Sequence, residues 1–134
     1  MAEQEFSELG SQQRQMLEIV WQRDGATVQE VLSEINANSK EPPLAYTTVL
    51  ATLQKLEKMG WLTHERSEEH LRAYVYRATQ TRSEAIGGSL RAFADNFLDG
   101  DKTLLFQHFV NDTGLTDEEL AEIRAMIAKR KKRK

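Results

Sequence analysis

Apolar residues recur at helical spacing along most of the chain, and the spacing changes once to strict alternation. Met16, Leu17, Ile19, Val20 and Trp21 predict a first helix over about 12–22, ended by Asp24–Gly25. Thr27-x-x-Glu30 has the form of a capping box, and Val28, Val31, Leu32 and Ile35 make the inner stripe of a second helix behind it. Asn36–Leu44 contains both prolines of the chain, Pro42 and Pro43, and is read as a loop because they cannot continue a helix. A third helix begins near Ala45 and is stopped by Gly60, with Val49, Thr52, Leu53 and Leu56 on its buried stripe. After Gly60 period two takes over: Leu62 lies on one strand, Tyr74 and Tyr76 on the return strand, and Ser67–Glu68–Glu69–His70 at the tip. The two tyrosines share a face with Leu62, so both read as core packing rather than as a base-stacking pair.

Beyond Ala78 the helical period returns three times. Ile86, Leu90, Phe93, Phe97 and Leu98 form one stripe, ending at Asp99–Gly100. Leu104, Leu105, Phe109 and Val110 form a second, and Leu120, Ile123 and Ile127 a third, behind the capping box Thr116-x-x-Glu119. Short helices with such wide apolar faces make a poor core by themselves, so a homodimer is expected. Its interface would use Ile86, Leu90, Phe93, Phe97, Leu105, Phe109, Leu120, Ile123 and Ile127.

The expected fold is mainly α with a small β-wing: a winged helix-turn-helix over 8–78, a helical dimerisation element over 79–128 and a basic tail over 129–134. The 36–44 connection exceeds the roughly 3–4 residues of most helix-turn-helix turns, a departure that winged-helix proteins tolerate.

The outer side of the third helix gives this fold a chemistry. Opposite the buried stripe stand Thr47, Ala51, Gln54, Lys55 and Lys58, with Tyr46 and Thr48 at the helix start. The face is small and hydrogen-bonding near its beginning and cationic further along, which suits base edges and phosphates. The start of the helix also aims backbone N–H groups at a phosphate. Arg66, His70 and Arg72 flank the wing tip within reach of a DNA backbone or minor groove, while Glu68 and Glu69 there would repel phosphate. A solvated surface helix and a plain charged hairpin are the ordinary alternatives for the same residues.

Charge changes the picture only through its distribution. The 134-residue chain carries 18 basic and 21 acidic side chains, for a net charge of −3. Residues 1–44 have three basic against eight acidic groups, and residues 79–128 four against nine, whereas 45–78 have five against four. The reading segment is thus the one non-acidic part of the folded body. Modest affinity per protomer, raised by dimeric avidity, follows from that balance. The final KRKKRK reads as a frayed, solvated end.

The chain has no cysteine, which removes disulfides, thiolate metal sites and cysteine catalysis. His64, His70 and His108 have no second ligand at a useful spacing, so neither a metal nor a cofactor is expected. No ordered catalytic motif is present, and an enzyme is not expected. The acidic start MAEQEFSELG lacks an apolar signal region, and no apolar run approaches the ~18 residues of a membrane span, so a cytoplasmic protein is expected.

Taken together, the AYTTV helix start, the L-x-x-L-x-x-x-G helix end and the return strand AYVYRA resemble the penicillinase-repressor (BlaI/MecI-type) transcriptional regulators. LGSQQRQMLEIVW at Leu9–Trp21 is similar to that family's first helix, and GATVQEV at Gly25–Val31 to its short strand entering helix two. The likeness runs over roughly residues 9–127. Leu44 stands where many members carry an aromatic, and the C-terminal cysteine cluster of the copper-responsive members is absent. The resemblance implies a homodimeric repressor on a palindromic double-stranded operator, each protomer placing the Ala45 helix in a major groove. It further implies release by a regulatory protease in the β-lactam-responsive manner, at an Asn-Phe bond that corresponds here to His108–Phe109; the Phe is kept and the Asn is not. Phe109 would be core in any case. The residues alone leave open a winged-helix module for protein–protein assembly, or a repressor gated by a small molecule in the dimer crevice.

Overall fold

The computed structural model of the chain describes residues 6–70, 73–112 and 114–132. A short turn at Phe6–Glu8 leads into α1 (Ser11–Arg23), β1 (Ala26–Thr27), α2 (Val28–Ala37), α3 (Tyr46–Lys58), β2 (Leu62–Arg66), β3 (Tyr74–Ala78), α4 (Arg82–Phe97), α5 (Lys102–Asp112) and α6 (Asp117–Lys132). Three helices, a small antiparallel sheet and its protruding β2–β3 hairpin make a mainly α winged helix, as the periodicities predict. The chain divides into two compact units, 6–90 and 91–132 among the described residues, with α4 contributing to both.

In the first unit the elements begin and end where local chemistry requires. Thr27 Oγ1 accepts from Glu30 N at 3.1 Å while Glu30 Oε1 accepts from Thr27 N at 2.9 Å, the reciprocal box that starts α2. The connection to α3 begins at Asn38 rather than Asn36, because α2 runs through Asn36 and Ala37. That places the Asn36 side chain to close the long loop: its Oδ1 accepts from Leu44 N at 2.8 Å and its Nδ2 donates to Leu44 O at 3.1 Å. A side-chain clamp supplies the definition that a short turn would otherwise give. At the end of α1, Asp24 and Gly25 take φ of 53° and 110°. The positive φ at Gly25 favours glycine, and a Cβ there would also crowd Arg77 Nη1 at 2.9 Å and Val75 Cγ1 at 3.2 Å.

The sheet order is β1-β3-β2. Ala26 and Thr27 pair with Tyr76 and Val75, and β2 pairs with β3 from Leu62↔Ala78 to Arg66↔Tyr74. Met16, Leu17 and Val20 of α1 meet Val31 of α2 and Val49, Leu53 and Leu56 of α3 in one buried cluster, closed by Trp61, Leu62 and Tyr76. Thr52, expected on the buried stripe, sits at its edge, and its hydroxyl donates to Thr48 O at 2.9 Å. Tyr74, expected in the core, is 45% exposed while Tyr76 is 2% exposed. Tyr76 lies between β1 and β2, whereas β1 ends at Thr27, opposite Val75, leaving Tyr74 beyond the three-stranded part of the sheet. From β3 the chain turns into α4, fixed to α1 by Trp21 Nε1 donating to Gln80 O at 2.9 Å and by Arg82 Nε donating to both Glu18 oxygens. Thr81 and Glu84 form a capping box there that the sequence reading did not single out.

The second unit is built differently. Ala94 is its buried apolar residue among those described. Phe93 and Phe97 stack at 5.1 Å yet both stay exposed, as do Phe106, Met126 and Ile127. Phe109, expected as core, is also exposed in the single chain, and Ile127, expected inward, likewise. Thr116 and Glu119 form the expected box at the start of α6. The final segment, expected to fray, is helical through Lys132. No helix among the described residues is long and apolar enough to cross a membrane.

Candidate nucleic-acid interface

Helix α3 presents the face that its sequence pattern predicts. Val49, Leu53 and Leu56 are fully buried, while Tyr46, Thr47, Thr48, Ala51, Gln54, Lys55 and Lys58 are all exposed. Seating one side of the helix in a close-packed core fixes how the other side is presented. The N-cap is Ala45, which offers no side-chain acceptor to the first-turn N–H groups. Most helices fill that position with Ser, Thr, Asp or Asn, and its vacancy here leaves the positive end of the dipole to an external anion.

Electrostatics separates the basic groups into two sets. Arg23 is held by Glu30 and Glu34, Arg77 by Glu65, and Arg82 by Glu18. Its hydrogen bond to the Glu30 carboxylate keeps the Arg23 guanidinium above its already high ordinary pKa. Arg77 is doubly committed, since its Nη1 also donates to Asp24 O at 2.8 Å. Lys55 and Lys58 take part in no ion pair among the described residues. Lys55 and Lys58 are therefore available to an outside partner.

The wing is coupled to this helix. His64 Nδ1 lies 2.7 and 2.8 Å from the two carboxylate oxygens of Glu57 on α3. Its ring packs edge-on to Tyr74 at 4.8 Å. Arg66 crosses over the Tyr74 ring at 5.0 Å from its centroid, and its Nη2 donates to the Tyr74 hydroxyl at 3.4 Å. Between α3 and the wing runs an open groove of about 780 Å³, lined among others by Tyr46, Gln54, His64, Arg66 and Tyr74. Burial raises the pKa of the Tyr76 phenol at its floor.

Six of the residues expected to meet nucleic acid, Thr47, Thr48, Ala51, Gln54, Lys55 and Lys58, thus lie on the exposed side of one helix, with Tyr46 and Arg66 bordering the groove beside it. Arg72 and the His70 side chain lie outside the described residues. Tyr74 and His64 are additions. The pairing of Tyr74 with Arg66 on the last register position of the hairpin is the signal that would have found Tyr74. His108 of the expected cleavage pair is exposed on α5, its Nδ1 2.8 Å from Asp112 Oδ2. Among the described residues no group of His, Cys, Asp and Glu could hold a metal ion.

A helix-turn-helix whose third helix is exposed along one side and flanked by a β-hairpin defines the winged-helix class. Within that class, the sequence pattern of the penicillinase repressor family matches residues 9–129. The chain belongs to the penicillinase repressor family. It is 24% identical over 120 residues to the penicillinase repressor of Bacillus licheniformis, covering 90% of this chain and 89% of that one. It is 29% identical over 127 residues to the transcriptional regulator BlaI of Mycobacterium tuberculosis, covering 90% and 88%. Among solved structures it is similar to MarR, at 22% identity and a TM-score of 0.48 over 93% of this chain and 78% of that one.

Proposed function

We propose that the chain is a transcriptional repressor that binds a palindromic operator in duplex DNA as a homodimer, with the winged helix (8–78) reading and the region from 79 to 128 pairing. Each protomer places α3 in the major groove of one half-site. Thr47, Thr48, Ala51 and Gln54 meet base edges, and Lys55 and Lys58 meet phosphates. The observation that carries this reading is the exposed side of α3, with its uncapped start and its two lysines outside any ion pair among the described residues. Tyr46, Arg66, His70 and Arg72 line the approach from the wing side. Pairing of the protomers is supported by the exposed apolar side chains of the second unit. Residues Ile86, Leu90, Phe93, Phe97, Leu105, Phe109, Leu120, Ile123 and Ile127 supply it.

Release from DNA follows from cutting within that pairing region. Severing His108–Phe109 would detach α6 from α4 in the covalent chain and return each reading head to the weak affinity of one half-site. Both side chains are exposed, which supports access by a protease once α5 opens locally. The test is to recover bound duplexes from genomic fragments, then measure affinity for a full palindrome and for one half across a salt series. The proposal expects tight, steeply salt-dependent binding to the full site and much weaker binding to the half. Equal affinity for an unrelated duplex would refute sequence reading and favour an assembly module.

A further inference from the structure

Helix α6 carries its charge in two blocks. Asp117, Glu118, Glu119 and Glu122 fall near its start, and Lys129, Arg130 and Lys131 near its end. The helix dipole favours that order, and Glu119 also completes the cap with Thr116. Neither effect accounts for what lies between the blocks. Met126 is 63% exposed and Ile127 49% exposed, both apolar and both in the middle of the helix.

Helical geometry joins these facts. At about 100° per residue, Glu119, Ile123, Met126 and Arg130 fall within about 60° of one another around the helix. Read along the axis, this strip is acid, apolar, apolar, base. Two such strips match only when they run antiparallel. One twofold axis, passing between residues 124 and 125, sets Glu119 against the partner subunit's Arg130. The same axis sets Ile123 against the partner subunit's Met126, and brings Glu122 to the same flank of the seam as the partner subunit's Lys129. A parallel arrangement would place acid on acid and base on base.

We infer that α6 pairs antiparallel with α6 of a second copy, through the strip Glu119–Ile123–Met126–Arg130, with the charge blocks clamping both ends. This rests on the homodimer reading and adds to it a register and a dependence on charge. It assigns the basic end of the chain to the dimer rather than to DNA.

Sedimentation equilibrium on the full chain tests it. Between about 0.1 M and 1 M salt the Debye length contracts from about 10 Å to about 3 Å, so the wild-type dimer should weaken as salt rises. Reversing the basic block with K129E/R130E/K131E should weaken the dimer roughly tenfold at low salt, since several symmetric pairs invert together. The complementary variant E118K/E122K leaves the Thr116–Glu119 cap intact and should also pair poorly with itself. Mixing the two variants should raise affinity well above that of either variant alone, and circular dichroism checks that each remains helical. A wild-type dimer indifferent to salt, or tightened by it, would overturn the α6 pairing and leave the homodimer reading standing. So would a K129E/R130E/K131E variant that dimerises normally and loses only DNA affinity. A wild type that is monomeric at every concentration would overturn both.

Discussion

The two compact units solve the problem of apolar surface in opposite ways. In the first, Met16, Leu17, Val31, Val49, Leu53 and Leu56 reach zero exposure, and every helix gives its stripe to a shared interior. In the second, α5 has no buried residue at all, and Phe97 stands 73% exposed. Both have helices of similar length and similar apolar content, so propensity does not separate them. The difference is that α1, α2 and α3 cross one another around a sheet, whereas α5 and α6 keep large apolar side chains in solvent. One unit is complete within a single chain, and the other leaves surface of the size and kind that interfaces cover.

The largest effect expected from this contrast is on stability. Leu53→Ala should cost about 2–5 kcal/mol, because a fully buried leucine leaves a cavity behind. Phe97→Ala should change unfolding of the single chain by less than about 0.5 kcal/mol, as for other exposed positions, while weakening self-association. Urea denaturation at a concentration low enough to keep the chain monomeric reads both. Next, a fragment ending near Thr79 should fold cooperatively, remain monomeric in sedimentation equilibrium, and lose operator affinity through lost avidity. A fragment that still dimerises would move the pairing surface into the winged helix.

Asn36→Ala should cost roughly 1–3 kcal/mol, since it leaves the Leu44 N–H and carbonyl without their partner in a half-buried loop. Thermal melts of the full chain measure it, and the loss should extend to DNA affinity because that loop sets the start of α3. The smallest expected effect is a pH dependence from Glu84. Hydrogen bonds from the Thr81 backbone N–H and hydroxyl hold its carboxyl below the ordinary carboxylate value. A lowered folded-state pKa means the stabilisation is complete above the ordinary carboxylate range and is lost as pH falls through the folded-state value. Glu84→Gln should therefore flatten the acid side of the stability–pH curve slightly, with little change at neutral pH.

Much of this was legible in the sequence because local rules and burial agree. Gly60 stops α3, Thr27 and Thr116 open α2 and α6, and the change of period after Gly60 marks the wing. The exposed side of α3 followed directly from the stripe of Val49, Leu53 and Leu56. What was not legible depends on where neighbours end. Alternation puts Tyr74 and Tyr76 on one face, but only the two-residue length of β1 decides that Tyr76 is covered and Tyr74 is not. Phe109 and Ile127 occupy apolar stripes, yet a stripe says nothing about whether the same chain supplies its cover. The His64–Glu57 contact joins residues on α3 and β2 and has no local signature. Its result is a wing tied to α3.

The central claim is that the exposed start of α3 reads DNA sequence, and it is tested most directly by Thr47→Ala combined with Thr48→Ala. Fluorescence anisotropy should compare this variant with the parent on the selected operator and on an unrelated duplex at one salt concentration. Loss of base contacts should weaken operator binding by about 1–3 kcal/mol per good contact, with binding to the unrelated duplex nearly unchanged. If the variant binds its operator as tightly as the parent, α3 is not the reader and the recognition surface lies elsewhere on the protein.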